Sequence, residues 1–223
     1  MTFSLSAVCP ETGQFGVAVT SSSLCVAARC AFARAHYGAV STQNITDPRL
    51  APRILDLLAD GFQAQEALDA VMAVHARREY RQLAVVDRYG NTATHSGSKT
   101  LGTNAVAVGQ GVAAAGNLLS HVGVPQAMVD GFNAASGALG DKLVAGMLAG
   151  LASGGEMGPV ASAGMVIADK EQWYIADLRV DQSERPIEQM GELWEAWKPE
   201  MYDYVTRGIN PETAPSYGVP GDE

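Results

Sequence analysis

The stretch TFSLSAVCPETGQFGVAVTSSS, residues 2–23, decides the fold. Phe3, Leu5 and Ala7 alternate with Thr2, Ser4 and Ser6, the period-2 pattern of a β-strand that gives its two faces different chemistry. Pro10-Glu11-Thr12-Gly13 carries turn chemistry, and Phe15 to Thr20 runs back as the partner strand. The chain therefore enters a hairpin at its second residue, where most chains are loose. Either the terminus is simply tied into a sheet, or it is itself a working part.

The 223 residues suit one domain, taken here as 1–223 with 209–223 as an extended Pro- and Gly-rich tail. A 47% hydrophobic and 17% charged composition supports a substantial core. The net charge of −9 argues against a nucleic-acid surface, which needs clustered Lys and Arg. No apolar run is long enough for a transmembrane helix, and no basic-then-apolar leader opens the chain, so a cytoplasmic location is expected with no membrane partner. Cys9, Cys25 and Cys30 form neither a disulfide framework nor a CxxC pair. His36, His75, His95 and His121 have no ligand spacing, so neither metal nor cofactor is expected.

Beyond the hairpin, Leu24 to Ala35 is a run of small residues without a clear period, and Tyr37 to Gln43 reads as a third strand. Asp47-Pro48 opens a helix with Leu50, Ile54, Leu57 and Leu58 on one stripe, ended by Gly61, and a second helix runs from about Gln63 to Ala76. Gln82 to Asp87 and Asn91 to Thr94 pair around Arg88-Tyr89-Gly90, and Ala105 to Val108 and Val112 to Ala115 flank Gly109-Gln110-Gly111. Helices are predicted from Val124 to Ala135 and Leu139 to Leu151, a hairpin from Ser162 to Ala168 and Gln172 to Leu178, and a last helix from Pro186 to Val205. So many hairpins exclude a doubly wound parallel sheet. Paired helices between sets of small apolar strands predict an α+β, four-layer αββα sandwich of antiparallel sheets.

Thr2 carries specific chemistry if Met1 is removed. Its α-amine, with an ordinary pKa of roughly 8, would then share a residue with the hydroxyl it deprotonates. Met-Thr alone is a common beginning and a weak signal; the immediate strand and the element order strengthen it.

The segments TFSLSAVCPETGQFGVAV, GAVSTQ, DPRLAPRILDLLADG, RQLAVVDRYGNTATHSG, GNLL and DLRVD occur in that order over residues 2 to about 182. In these segments the chain resembles the DUF1028 family, bacterial and archaeal proteins of undefined function placed in the N-terminal-nucleophile (Ntn) hydrolase superfamily. The resemblance implies an αββα sandwich and amide hydrolysis by the first side chain, with Thr2 as nucleophile and base. It transfers no substrate beyond a small or peptide-like amide. Two positions depart from the family pattern: Ser21-Ser22-Ser23 stands where an arginine often follows the second strand, and His36 stands where glycine is usual. Arg29 and Arg34 are the nearby cations that could substitute.

Asn117, in the GNLL match, is a candidate oxyanion donor or a plain strand-to-helix turn residue. Asp177 and Arg179 lie two apart on one face; they could bind substrate, orient the Thr2 amine or form an ordinary ion pair. Thr42 and Gln43 are candidate pocket lining, as is His95, although a lone histidine is more often structural. Ser22 could assist the terminal amine or belong to a polar turn. Trp194, Trp197, Tyr202 and Tyr204 cluster late in the chain and point to a homo-oligomer or to internal packing. The competing reading is a non-catalytic binding or assembly protein on the same sandwich.

Overall fold

In the computed structural model, which describes residues 1–221, the first hairpin forms as the alternation predicts. Strand β1 (Thr2–Val8) pairs antiparallel with β2 (Phe15–Ser21) in a register that sets Thr2 opposite Ser21. A one-turn helix α1 (Ala27–Cys30) and a short strand β3 (Ala31–Arg34) follow, then β4 (Gly38–Asn44). Helices α2 (Leu50–Ala59) and α3 (Ala64–Val74) lead to β5 (Arg81–Asp87), β6 (Thr92–Ser96), β7 (Ala105–Gly109) and β8 (Val112–Asn117). Helices α4 (Val124–Ala134) and α5 (Leu139–Ala152), strands β9 (Ser162–Ala168) and β10 (Tyr174–Val180), and helices α6 (Pro186–Trp197) and α7 (Met201–Ile209) complete the chain.

The strands make two antiparallel sheets, one ordered β10-β9-β2-β1-β8-β7 and the other β3-β4-β5-β6. Three apolar clusters follow from strand alternation. Phe3, Leu5, Met165 and Ile167 face Met128, Leu143, Met147 and Trp194 of α4, α5 and α6. Val40, Leu83 and Val85 face Ile54, Leu58, Leu68 and Val71 of α2 and α3. Between the sheets, Val17, Val19, Ala113, Ala115 and Val166 meet Ala39, Ala84 and Val86. Alanine and valine dominate this middle cluster because two sheet faces stacked about 10 Å apart leave little depth for larger side chains. The molecule is a mixed α+β fold with two antiparallel sheets, whose inner strands β1, β2, β4, β5, β8 and β9 are buried nearly throughout while the edge strands β6, β7 and β10 are partly exposed.

Two expectations are corrected. The residues from Leu24 to Ala35 contain α1 and the edge strand β3, so four strands precede α2 instead of three. The helix expected from Pro186 to Val205 breaks between Trp197 and Met201, because Pro199 has no N–H with which to continue the helical ladder. Two of the late aromatics are accounted for within the chain. Trp194 is buried and donates through Nε1 to Asp141 at 2.7 Å, and Trp197 donates to the Ile175 carbonyl at 2.8 Å. Among the described residues after Ile209 the tail contains a 3-10 turn, Pro211–Thr213, and is held by the Arg207 guanidinium stacked 4.0 Å from the Tyr217 ring centroid. Residues 222–223 of the expected tail lie outside the described residues.

Candidate functional site

The polar face of β1 does not meet water. Thr2, Ser4 and Ser6 turn towards the second sheet and are buried. Thr2 lies opposite Ser21 of β2 on one side and Asn117 of β8 on the other. Residues opposed in an antiparallel ladder share a face, so two hydroxyls and an amide project together into the space between the sheets.

The facing sheet answers with two glutamines. Gln43 of β4 and Gln82 of β5 are register partners, and neither is exposed to solvent. Gln43 Nε2 donates to Gln82 Oε1 at 2.9 Å, and Asn117 Nδ2 donates to the same oxygen at 3.1 Å. Gln82 Nε2 in turn donates to the Gly116 carbonyl and to Ser96 Oγ, both at 2.9 Å. Ser4 Oγ donates to Gln43 Oε1 at 2.6 Å. The amides thus bridge the sheets and fix the Asn117 side chain. A buried amide left without partners would be costly, so the bridge is specified as a unit.

Met1 sits over this arrangement. Its carbonyl oxygen accepts from Thr2 Oγ1 and from Ser21 Oγ, each at 2.5 Å. Ser21 Oγ lies 3.2 Å from Thr2 Oγ1 and 2.8 Å from Ser23 Oγ, to which Arg29 Nη2 donates at 2.6 Å. A line of hydroxyls therefore runs from Thr2 to a guanidinium. Of the two arginines that could stand in for a cation after the second strand, Arg29 reaches this serine triplet and Arg34 does not.

Leu118, directly after Asn117, adopts a left-handed conformation with φ 51°. A bulky residue pays strain in that region, so it persists only where neighbours over-determine it. Here its N–H donates to the Leu101 carbonyl and its carbonyl accepts from Met157 N–H, both at 3.0 Å. The same contacts bring Glu156 into a β-bridge with Leu119. Glu156 is 6% exposed; its Oε2 accepts the Ser22 N–H at 3.3 Å, while Oε1 is buried without a partner. Burial pushes its pKa up to about 7, against the opposing pull of the Met1 α-ammonium and of hydrogen bonds from Ser22.

The stability consequence has a definite sign. Between about pH 4.5 and 7 the folded protein holds a proton on Glu156 that the unfolded chain has released, so this group withdraws stability as pH rises through that window. Glu156→Gln removes the dependence. Its stability relative to wild type should therefore improve by about 3 kcal/mol between pH 4 and pH 8. Urea unfolding of both proteins at the two pH values measures it, and a pH-independent difference would contradict the assignment.

The other sequence candidates lie elsewhere. Thr42 projects from the opposite face of β4, opposite Leu83 and towards α2 and α3, because adjacent strand residues alternate and Gln43 takes the inner face. His95 shares that outer face across from Leu83, with Nε2 3.0 Å from the Arg78 carbonyl oxygen. Arg34, at the end of β3, pairs with Asp56 at 2.8 Å. Asp177 and Arg179 form a two-pronged ion pair, both bonds 2.8 Å, on the edge strand β10, separated from β1 by β9 and β2. Thr2, Asn117, Gln43 and Ser22 come together; Arg34, Thr42, His95, Asp177 and Arg179 do not join them. Arg29, one of the two cations expected near the second strand, reaches the site through Ser23, whereas Ser21, Gln82 and Glu156 are not among the residues the sequence singles out. Ser21 could have been read by counting the hairpin register back from its turn, whereas nothing local to Glu156 signals its place.

Among the described residues no cluster of three or more His, Cys, Asp or Glu could hold a metal, and no helix is long and apolar enough to cross a membrane. No protein of curated function matches the chain. Among solved structures it is similar to protein SPO2555 from Silicibacter pomeroyi, itself assigned to DUF1028, with 27% identity over 92% of this chain and 90% of that one and a TM-score of 0.84. The family described as "Family of unknown function (DUF1028)" matches residues 2–190, and with that span of the sequence the chain belongs to it.

Proposed function

We propose that this protein is an amide hydrolase of the N-terminal-nucleophile type on a four-layer αββα sandwich, acting on a small or peptide-like amide through Thr2 once Met1 has been removed. The observation that carries the reading is the position of Thr2 Oγ1, buried at a sheet end and 2.5 Å from an acyl oxygen, the Met1 carbonyl, that Ser21 also holds. In the proposed reaction the Thr2 hydroxyl attacks the amide carbon and its proton passes to the Thr2 α-amine. The resulting oxyanion is met by the second Nδ2 hydrogen of Asn117 and by the Ser21 hydroxyl. The C–N bond then breaks, the leaving amine takes the proton, and water hydrolyses the Thr2 ester. Gln82 holds the Asn117 amide in place, a positioning role.

A binding protein without this chemistry is the second reading. It is favoured by two grooves, of about 710 and 480 Å³, that open at the far end of the strands, beside Tyr174 and beside Cys9. One experiment separates the two. Chain released with Thr2 first, by cleavage of an N-terminal fusion, is compared on a panel of amides with chain whose Met1 is retained and acetylated. Turnover by the first alone is expected. Equal turnover by both overturns the N-terminal-nucleophile mechanism, and none by either removes the hydrolase reading.

A further inference from the structure

Met1 is an acyl group carried on the Thr2 nitrogen, its carbonyl oxygen 2.5 Å from the hydroxyl that carries the acyl group in the proposed reaction, so its surroundings are a guide to what a neighbouring acyl group would meet. Three groups surround it. Its carbonyl is held by the Thr2 and Ser21 hydroxyls. Its Cε lies 3.2 Å from the point where a β-carbon on Gly158 would stand, so the missing side chain at 158 makes room for it. Its α-ammonium is near enough to pull electrostatically on Glu156, two residues before that glycine, without pairing with it directly. Glu156 is more than nine-tenths buried, and Oε1 has no hydrogen-bond partner. A carboxylate oxygen in that condition is an acceptor kept for a donor that the rest of the fold does not supply.

We infer that the acyl side of the site recognises an α-aminoacyl group, with Glu156 binding its free ammonium and the gap at Gly158 admitting an unbranched apolar side chain of about methionine length. The inference rests on the hydrolase reading for the location of the acyl group, and deepens it: the substrates are aminoacyl amides or short peptides with a free amino end, not N-acylated compounds. The chemistry is that of a charge-assisted hydrogen bond inside a low-dielectric wall, where an ammonium is worth more than it is in water. Acetylating the amine removes the charge and adds bulk against Glu156. Both changes act against binding.

The test uses full-length chain freed of Met1 by fusion cleavage. Binding of L-methioninamide and of N-acetyl-L-methioninamide to the Thr2→Ala protein is measured by calorimetry, and cleavage of the matching 4-nitroanilides by the Thr2 protein is measured in parallel. Methioninamide is expected to bind at least tenfold more tightly than its acetylated form, and Glu156→Gln is expected to erase that ratio. Gly158→Val, whose methyls would enter the space used by the Met1 Cε, is expected to shift preference from methioninamide to alaninamide. This variant serves as an independent check should Glu156→Gln fold poorly. Equal binding of the two methionine compounds, or no binding of either, overturns the inference. Ammonium-selective binding with no cleavage of any amide upholds it and overturns the hydrolase reading. Cleavage of acetylated and free substrates alike does the reverse.

Discussion

Thr2→Ala, prepared with its first residue exposed, is expected to lower kcat on any amide the wild-type protein cleaves by about 1,000-fold or more, since a missing nucleophile leaves only binding and oxyanion contacts to act. The α-amine survives this change, and so do Ser21, Asn117 and the glutamine bridge. The loss therefore isolates the hydroxyl. Folding should be little affected. Thr2 Oγ1 bonds only to Ser21 and to Met1, and Met1 is absent from this preparation, so the variant strands a single hydroxyl already partnered by Ser23. Thr2→Ser keeps the nucleophile and gives up one methyl; its kcat should stay within about tenfold of wild type, the usual scale for small packing changes around a reacting group. Intact mass after rapid quenching supplies the second readout. An acyl adduct on the wild type and none on Thr2→Ala is the expected pair of spectra, and wild-type rates from Thr2→Ala would falsify the assignment of Thr2.

What the sequence disclosed about this arrangement depended on the period of each segment. The alternation of Phe3, Leu5 and Ala7 with Thr2, Ser4 and Ser6 reports a strand without ambiguity, and the turn at Pro10 to Gly13 fixes its partner. Two-sided burial was also legible, because strands as small and apolar as GVAV and AVV cannot face water. Segments with weak periods were not readable. β3 has only four residues, AFAR, and follows a helix of one turn, so neither repeat completes a cycle before it ends. At Pro199 the amphipathic stripe carries on across the break, and the pattern outlasts the helix. For the site, residues on β1 or opposite it could be found, since register is a local consequence of the hairpin. Thr42 shows the limit: Thr42 and Gln43 are adjacent polar residues, and only the packing of the second sheet decides which faces inward. Glu156 is further out of reach, because a long-range backbone bridge to Leu119 brings it beside Met1.

The glutamine bridge yields the largest expected loss of stability. Gln82→Leu replaces a fully buried side chain by one of similar volume, so packing between the sheets is retained and the effect is confined to polar groups. Oε1 is the acceptor for Gln43 Nε2 and Asn117 Nδ2, and Nε2 is a donor to the Gly116 carbonyl. Ser96 is at the surface and recovers a bond from water; the Gln43 and Asn117 amides are sealed between two sheets and do not. Two stranded amide donors at about 1–3 kcal/mol each give a destabilisation of about 4 kcal/mol, and a fall in Tm of about 10 °C for a domain of this size. Chemical denaturation measures the first and calorimetry the second; a loss below about 1 kcal/mol would mean that water enters and that the bridge is not a closed unit. The same substitution frees the Asn117 side chain to rotate. Its cost in kcat should therefore persist at temperatures where the variant is fully folded, and this separates the positioning of an oxyanion donor from the stability of the sheets it joins.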